Sequence, residues 1–117
     1  MDIEKICEFF ELISGADSEE NMLFVEAAEE ETLRLLKDPR CASLSCVERL
    51  AGAIANFYYC SATLTKEVRA VNLGGGVTST YPDNSRVENA KLLVAQEKKL
   101  CSDYIIDEDF VFFGTRG

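Results

Sequence analysis

The chain contains no histidine, and that absence removes the commonest general base. Serine–histidine and cysteine–histidine nucleophilic pairs are excluded with it. Paired cysteines are missing too. Cys7, Cys41, Cys46, Cys60 and Cys101 are odd in number, scattered, and never spaced C-x-x-C. Without histidine, zinc would need four cysteines, usually as two close pairs. Reduced, mostly buried thiols acting as small hydrophobes are therefore expected. No apolar run is long enough to cross a bilayer. The longest, Leu50 to Leu64, is interrupted by Asn56, Ser61 and Thr63 and falls short of the roughly 20 residues required. Basic residues are scarce: 12 Lys and Arg face 21 Asp and Glu, for a net charge of -9. Nucleic-acid phosphates and anionic lipid both require a basic face. The expected partners are proteins, with no sequence-specific nucleic acid and no membrane. Met1 to Glu4 offer no basic segment ahead of a short apolar stretch, so a cytosolic chain is expected.

What is present suits one small domain over residues 1–117. Hydrophobic residues make up 47% of the chain, ample for a core without disulfides or metals. The fold class expected is mostly α, with four helices. Ile3, Ile6, Cys7, Phe10 and Ile13 recur at helical spacing, and Gly15 is a natural stop. A second helix is expected from Asp17 or Ser18, with Glu19 and Glu20 in its positive first turn, through Met22, Val25, Ala28, Thr32 and Leu36. Asp38-Pro39 ends it. Ser45-x-x-Glu48 has the form of a capping box and opens a third helix through Val47, Leu50, Ile54, Phe57, Tyr58 and Leu64. With Ala51, Gly52, Ala53 and Ala55 between them, it is apolar on most of its circumference and is the central helix. Ser85-x-x-Glu88 opens a fourth, carrying Val87, Ala90, Leu93, Val94, Glu97, Leu100, Cys101 and Tyr104. Between the last two helices, at about 66–82, the pattern changes. Val68, Ala70 and Leu73, then Gly74-Gly75-Gly76, then Val77 to Tyr81 fit a short β-hairpin or a flexible loop.

Charge is polarised along the chain. Residues 1–37 hold eleven Asp or Glu against Lys5, Arg34 and Lys37, so one end presents an acidic surface, either a docking face or a solvated one. Within it, Glu26, Glu29 and Glu30 share a helical face and are the best candidates for a magnesium site. Helical nucleotide pyrophosphohydrolases use such E-x-x-E faces. They need a second acidic pair on a neighbouring helix, and the fourth helix offers only the separate Glu88 and Glu97. A solvated acidic face is the simpler reading, and no cofactor is expected. The Gly74–Gly76 triplet lacks the phosphate-binding patterns and reads as a turn. Phe57, Tyr58 and Tyr59 read as core packing rather than a stacking surface for bases. The tail at about 107–117 is different. Phe110, Val111, Phe112 and Phe113 are consecutive, so both faces of that segment need covering, by the chain's own core or by an adjacent subunit.

The order of elements resembles the small head-to-tail connector, or head-completion, proteins of tailed phages and prophages. The likeness is carried by Ala51-Gly52-Ala53-Ile54-Ala55-Asn56-Phe57-Tyr58-Tyr59, Gly76-Val77-Thr78-Ser79-Thr80, Ala90-Lys91-Leu92-Leu93 and Asp109-Phe110-Val111-Phe112-Phe113-Gly114. It covers roughly the last 70 residues; the acidic first third matches only as helices. The resemblance implies a structural, non-enzymatic protein in the host cytoplasm or the virion. Such a protein docks on the phage portal protein, meets tail-proximal proteins, and forms a homo-oligomeric ring around the DNA passage. An acidic channel wall suits sliding DNA, because it repels phosphates. The resemblance also implies assembly contacts at Leu73, Gly74, Gly75, Gly76 and Val77 and at Phe110, Val111, Phe112 and Phe113. The alternatives are a magnesium-dependent nucleotide pyrophosphohydrolase and a helical protein-binding adaptor.

Overall fold

In a computed structural model, which describes residues 1–73 and 85–106 (66–73 as helix backbone alone), the described residues form four helices, with the third at the centre of the other three. They are α1 (Ile3–Ser14), α2 (Met22–Leu35), α3 (Ser45–Leu73) and α4 (Ser85–Leu100), with a 3-10 turn at Pro39–Ser43. Among the described residues there is no strand. The mostly α, four-helix domain is as the periodicity predicts.

α1 starts where Asp2, in extended conformation, accepts the Glu4 amide on its side chain, satisfying one of the free N–H groups of a helix start. It stops at Gly15, whose φ of 72° is the left-handed conformation that glycine adopts without strain. Ile6 and Phe10 are fully buried, and Ile3 and Cys7 pack beside them.

α2 begins later than its sequence suggests. Asp17 and Ser18 do not cap it; they sit in a preceding turn, and the helix starts at Met22. The reason is that Ser18 is already engaged. Its N–H and hydroxyl both donate to the Glu11 carboxylate, at 3.1 and 2.9 Å, while Asp17 accepts the Glu19 amide at 2.9 Å. α2 buries Val25, Ala28, Thr32 and Leu35, and the buried Thr32 hydroxyl donates to the Ala28 carbonyl at 2.7 Å. Asp38-Pro39 ends the segment, with Asp38 capping the 3-10 turn through the Arg40 amide.

α3 is the central helix. Val47, Leu50, Ala51, Ala53, Ile54, Ala55 and Phe57 are all fully buried, and α1, α2 and α4 pack around it. Gly52 lets α1 approach: a Cβ there would lie 2.7 Å from Phe9 Cβ. α3 also runs farther than the sequence suggests. The first arm of the hairpin placed at 66–82 is helical through Leu73. Helix propagation is cheap once a turn exists, and Lys66, Glu67, Arg69 and Ala70 are good helix formers with no glycine or proline before Gly74. The remainder of that segment, 74–82, lies outside the described residues.

α4 returns along α3, burying Ala90, Val94 and Glu97, and Cys101 just beyond it is also buried. After it the chain crosses to the end of α2. Lys37 N–H donates to Tyr104 O at 3.0 Å and Ile106 N–H to Leu35 O at 2.7 Å, an antiparallel bridge centred on Leu36 and Ile105.

Candidate functional site

The acidic face of α2 does not converge with carboxylates from another helix. Glu26 and Glu30 are exposed and Glu29 is half-buried. Among the described residues no group of three or more His, Cys, Asp or Glu is arranged to hold a metal ion. The two acidic residues on α4 are engaged separately. Glu88 lies 3.9 Å from Lys91, and Glu97 is turned inward.

That inward turn creates the most unusual polar contact in the core. Glu97 is only 7% exposed; its Oε1 accepts from Arg49 Nη2 at 2.9 Å, while its Oε2 is buried without a partner. Beside it Cys101 is fully buried, with Cys46 as a neighbour. Burial first, then Cys46 and the Glu97 charge, push the Cys101 thiol up to about 12. Burial likewise raises Cys60, against the opposing pull of Arg86. Thiols held protonated are poor nucleophiles and poor metal ligands, and all five cysteines are free.

The aromatic triplet on α3 divides its work. Phe57 is fully buried. Tyr59 meets Phe10 edge-on, with ring centroids 5.7 Å apart, and Phe24 at 6.4 Å, joining α1, α2 and α3. Tyr58 instead faces a groove of about 340 Å³ between α2 and α3, lined by Phe24, Ala27, Tyr58, Ser61, Ala62 and Thr65. The groove is almost wholly apolar, yet the Ser61 hydroxyl is buried there without a partner. Burial, then the neighbouring Glu31 carboxylate, raises the Tyr58 phenol. Sequence reading missed this groove because Ala27 and Ala62 carry no chemical signature. Phe24 four residues before Ala28, with Tyr58 on the facing helix, was the only hint. A second, more polar cleft of about 230 Å³ lies between the end of α1 and the start of α4, where Asn56, Arg86 and Asn89 meet.

Of the expected assembly contacts, Leu73 is the last residue of α3. Gly74, Gly75, Gly76, Val77, Phe110, Val111, Phe112 and Phe113 lie outside the described residues. Large apolar side chains are nevertheless exposed on three helices: Leu12 on α1 and Leu23 on α2 at 80% each, and Leu92 and Leu100 on α4 at 64% and 61%. Among the described residues no helix is long and apolar enough to cross a membrane. Comparison with known proteins gives no match for this chain, whether among family models, curated proteins or solved structures.

Proposed function

We propose that the protein is a structural assembly subunit of the head-to-tail connector type, docking on a phage portal protein and closing into a homo-oligomeric ring around the DNA passage. Tail-proximal proteins are the partners on its other side, and it works in the host cytoplasm and the virion. The observation that carries this reading is the set of four leucines more than half exposed on α1, α2 and α4. Single exposed leucines need no explanation, but the same feature on three helices of a small domain suits a subunit with neighbours on more than one side. The acidic outer face of α2 adds to this: it repels DNA phosphates rather than holding them.

Native mass spectrometry of the purified chain over a wide concentration range tests the proposal. A closed ring, or a ladder converging on one, is the expected result. A strict monomer at every concentration, together with magnesium-dependent nucleotide hydrolysis abolished by Glu26→Gln/Glu30→Gln, overturns it.

A further inference from the structure

We infer that the cleft between the end of α1 and the start of α4 binds a small organic monocarboxylate, its charge held by Arg86, Asn56 and Asn89 and its apolar body lying against Ile13, Ala90 and Leu93. The inference goes beyond the assembly reading and does not depend on it.

Asn56 is the observation that points to a ligand. It is 6% exposed and sits on α3 among Ala53, Ile54, Ala55 and Phe57, all fully buried. A carboxamide in such surroundings destabilises the fold unless its hydrogen bonds are made. Its side chain has one bond among the described residues, and that one is weak: the Cys60 thiol donates to Oδ1 at 3.6 Å. Nδ2, with two hydrogens to donate, has no partner there. Unlike Ser61 Oγ and Glu97 Oε2, Nδ2 is not sealed from outside, and the cleft is the space its residue lines.

Arg86 supplies the charge. Arg34, Arg40 and Arg49 each hold a carboxylate, whereas Arg86, which lines the same cleft, pairs with none among the described residues. Its field reaches across the cleft, where it opposes the rise that burial imposes on the Cys60 thiol. Arg86 is also the second residue of α4, so the positive end of that helix adds to the attraction for an anion. A planar carboxylate accepts two parallel bonds from a guanidinium and keeps lone pairs for the amides of Asn56 and Asn89. One cation with neutral amides matches one negative charge. A dianion such as phosphate is disfavoured by the chain's net charge of -9. Size limits the rest of the ligand. At about 230 Å³ the cleft is smaller than the roughly 300–1,000 Å³ of drug-sized sites, and Ile13, Ala90 and Leu93 offer only alkyl walls, so a body of a few carbons fits.

NMR titration of the full chain tests this with isovalerate, its uncharged counterpart isovaleramide, N-acetylvaline as a peptide-terminus carboxylate, and inorganic phosphate. The expected result is saturable movement of the Asn56 side-chain amide and the Ala90 methyl with isovalerate, at a Kd on the order of millimolar, and none with isovaleramide or phosphate. Arg86→Gln changes an exposed side chain and should keep the fold while weakening isovalerate by about tenfold or more. Saturable binding of N-acetylvaline beside isovalerate agrees with the inference and assigns the carboxylate to a peptide end; its exclusion agrees too and assigns a free acid. Three outcomes overturn the inference: no saturable shift with either carboxylate, equal response to isovaleramide, or unchanged affinity in Arg86→Gln. Binding of phosphate in place of isovalerate overturns the ligand class. None of these readings moves with the oligomeric state, so the two proposals fail separately.

Discussion

The backbone N–H of Asp2 donates to the Glu48 carboxylate at 3.0 Å, across 46 positions of sequence. The glutamate that looks like the second half of a capping box on α3 is instead the anchor for the start of α1. It is only 4% exposed, so its charge is held by this bond and by the positive end of α3. Glu48→Ala should cost about 1.5–3 kcal/mol, the range for hydrogen bonds to charged groups. Glu48→Gln, which keeps an acceptor oxygen, should cost less. Urea unfolding measures both, and equal losses in the two variants would show that the anchor contributes little.

Gly52 sets how closely α1 and α3 approach. An added Cβ meets Phe9 Cβ at 2.7 Å and the Phe10 backbone nitrogen at 3.4 Å. Neither is the far end of a flexible side chain. Gly52→Ala gains up to about 1 kcal/mol in helix propensity but forces two helices apart, at about 1–3 kcal/mol. A net loss of stability is expected. Because the collision is with a β-carbon, Phe9→Ala in the same chain should recover none of it. Thermal melts of the single and double variants decide the point.

The Arg49–Glu97 pair is half in water. Glu97 is 9% exposed at its side chain and Arg49 45%. Removing the partner of a buried charge costs about 3–5 kcal/mol when both are buried; with Arg49 part-solvated, about 1–3 kcal/mol is the appropriate expectation for Arg49→Met. Arg49→Met/Glu97→Met should restore most of that loss, since no charge is then left unpaired. A double-mutant cycle in urea gives the coupling, and a doubly substituted chain no more stable than Arg49→Met would contradict it.

The helices were legible because each buries one stripe against α3. Ile6 and Phe10, Val25 and Ala28, and Ala90 and Val94 recur at steps of three and four and all are buried. The start of α2 was not legible, because Ser18 looks like a cap and only its distant partner Glu11 shows that it is not. The end of α3 was misread for a related reason: Val68, Ala70 and Leu73 ahead of the glycines suggest a strand, but they follow a helix already formed. For the candidate site, the sequence supplied the three acidic side chains on α2 but not their exposure. It gave no sign of the groove, which depends on two alanines being small opposite two aromatics.

On the acid side, Glu11 and Asp38 both carry lowered pKa values. Hydrogen bonds from Ser18 act on the first and from Arg40 on the second. For a carboxyl lowered in the folded state, the unfolded chain binds more protons as pH approaches the ordinary value of 4.5 for Glu11. Its stabilisation is present above that value and is lost as pH falls through the folded pKa. Glu11→Gln should therefore lower stability at neutral pH, where the contribution is fully present, and flatten the acid limb, the difference from the parent chain closing as pH falls. Urea midpoints from about pH 6 down to about pH 3 provide the test; an unchanged acid limb would remove Ser18–Glu11 from the account.

On the alkaline side the sign reverses. The Cys101 thiol has an ordinary value of 9.0 and is pushed to about 12 in the fold, chiefly by burial. Below pH 9.0 both states keep the proton and the stabilisation is complete. Above it the unfolded thiol ionises while the folded one does not, so stability declines until pH reaches the folded value. Cys60 and Tyr58 are raised by burial as well and contribute in the same direction, so Cys101→Ala should reduce the alkaline slope without abolishing it. The same protonated, enclosed sulfur should resist alkylation. Cys7, Cys41 and Cys46 are half-buried and should react with iodoacetamide first, and Cys101 only as fast as the domain opens. Residue-resolved mass spectrometry of alkylation against time measures that order. If Cys101 labels as fast as Cys41 under conditions where the domain stays folded, it is not enclosed as described and its share of the alkaline slope disappears with it.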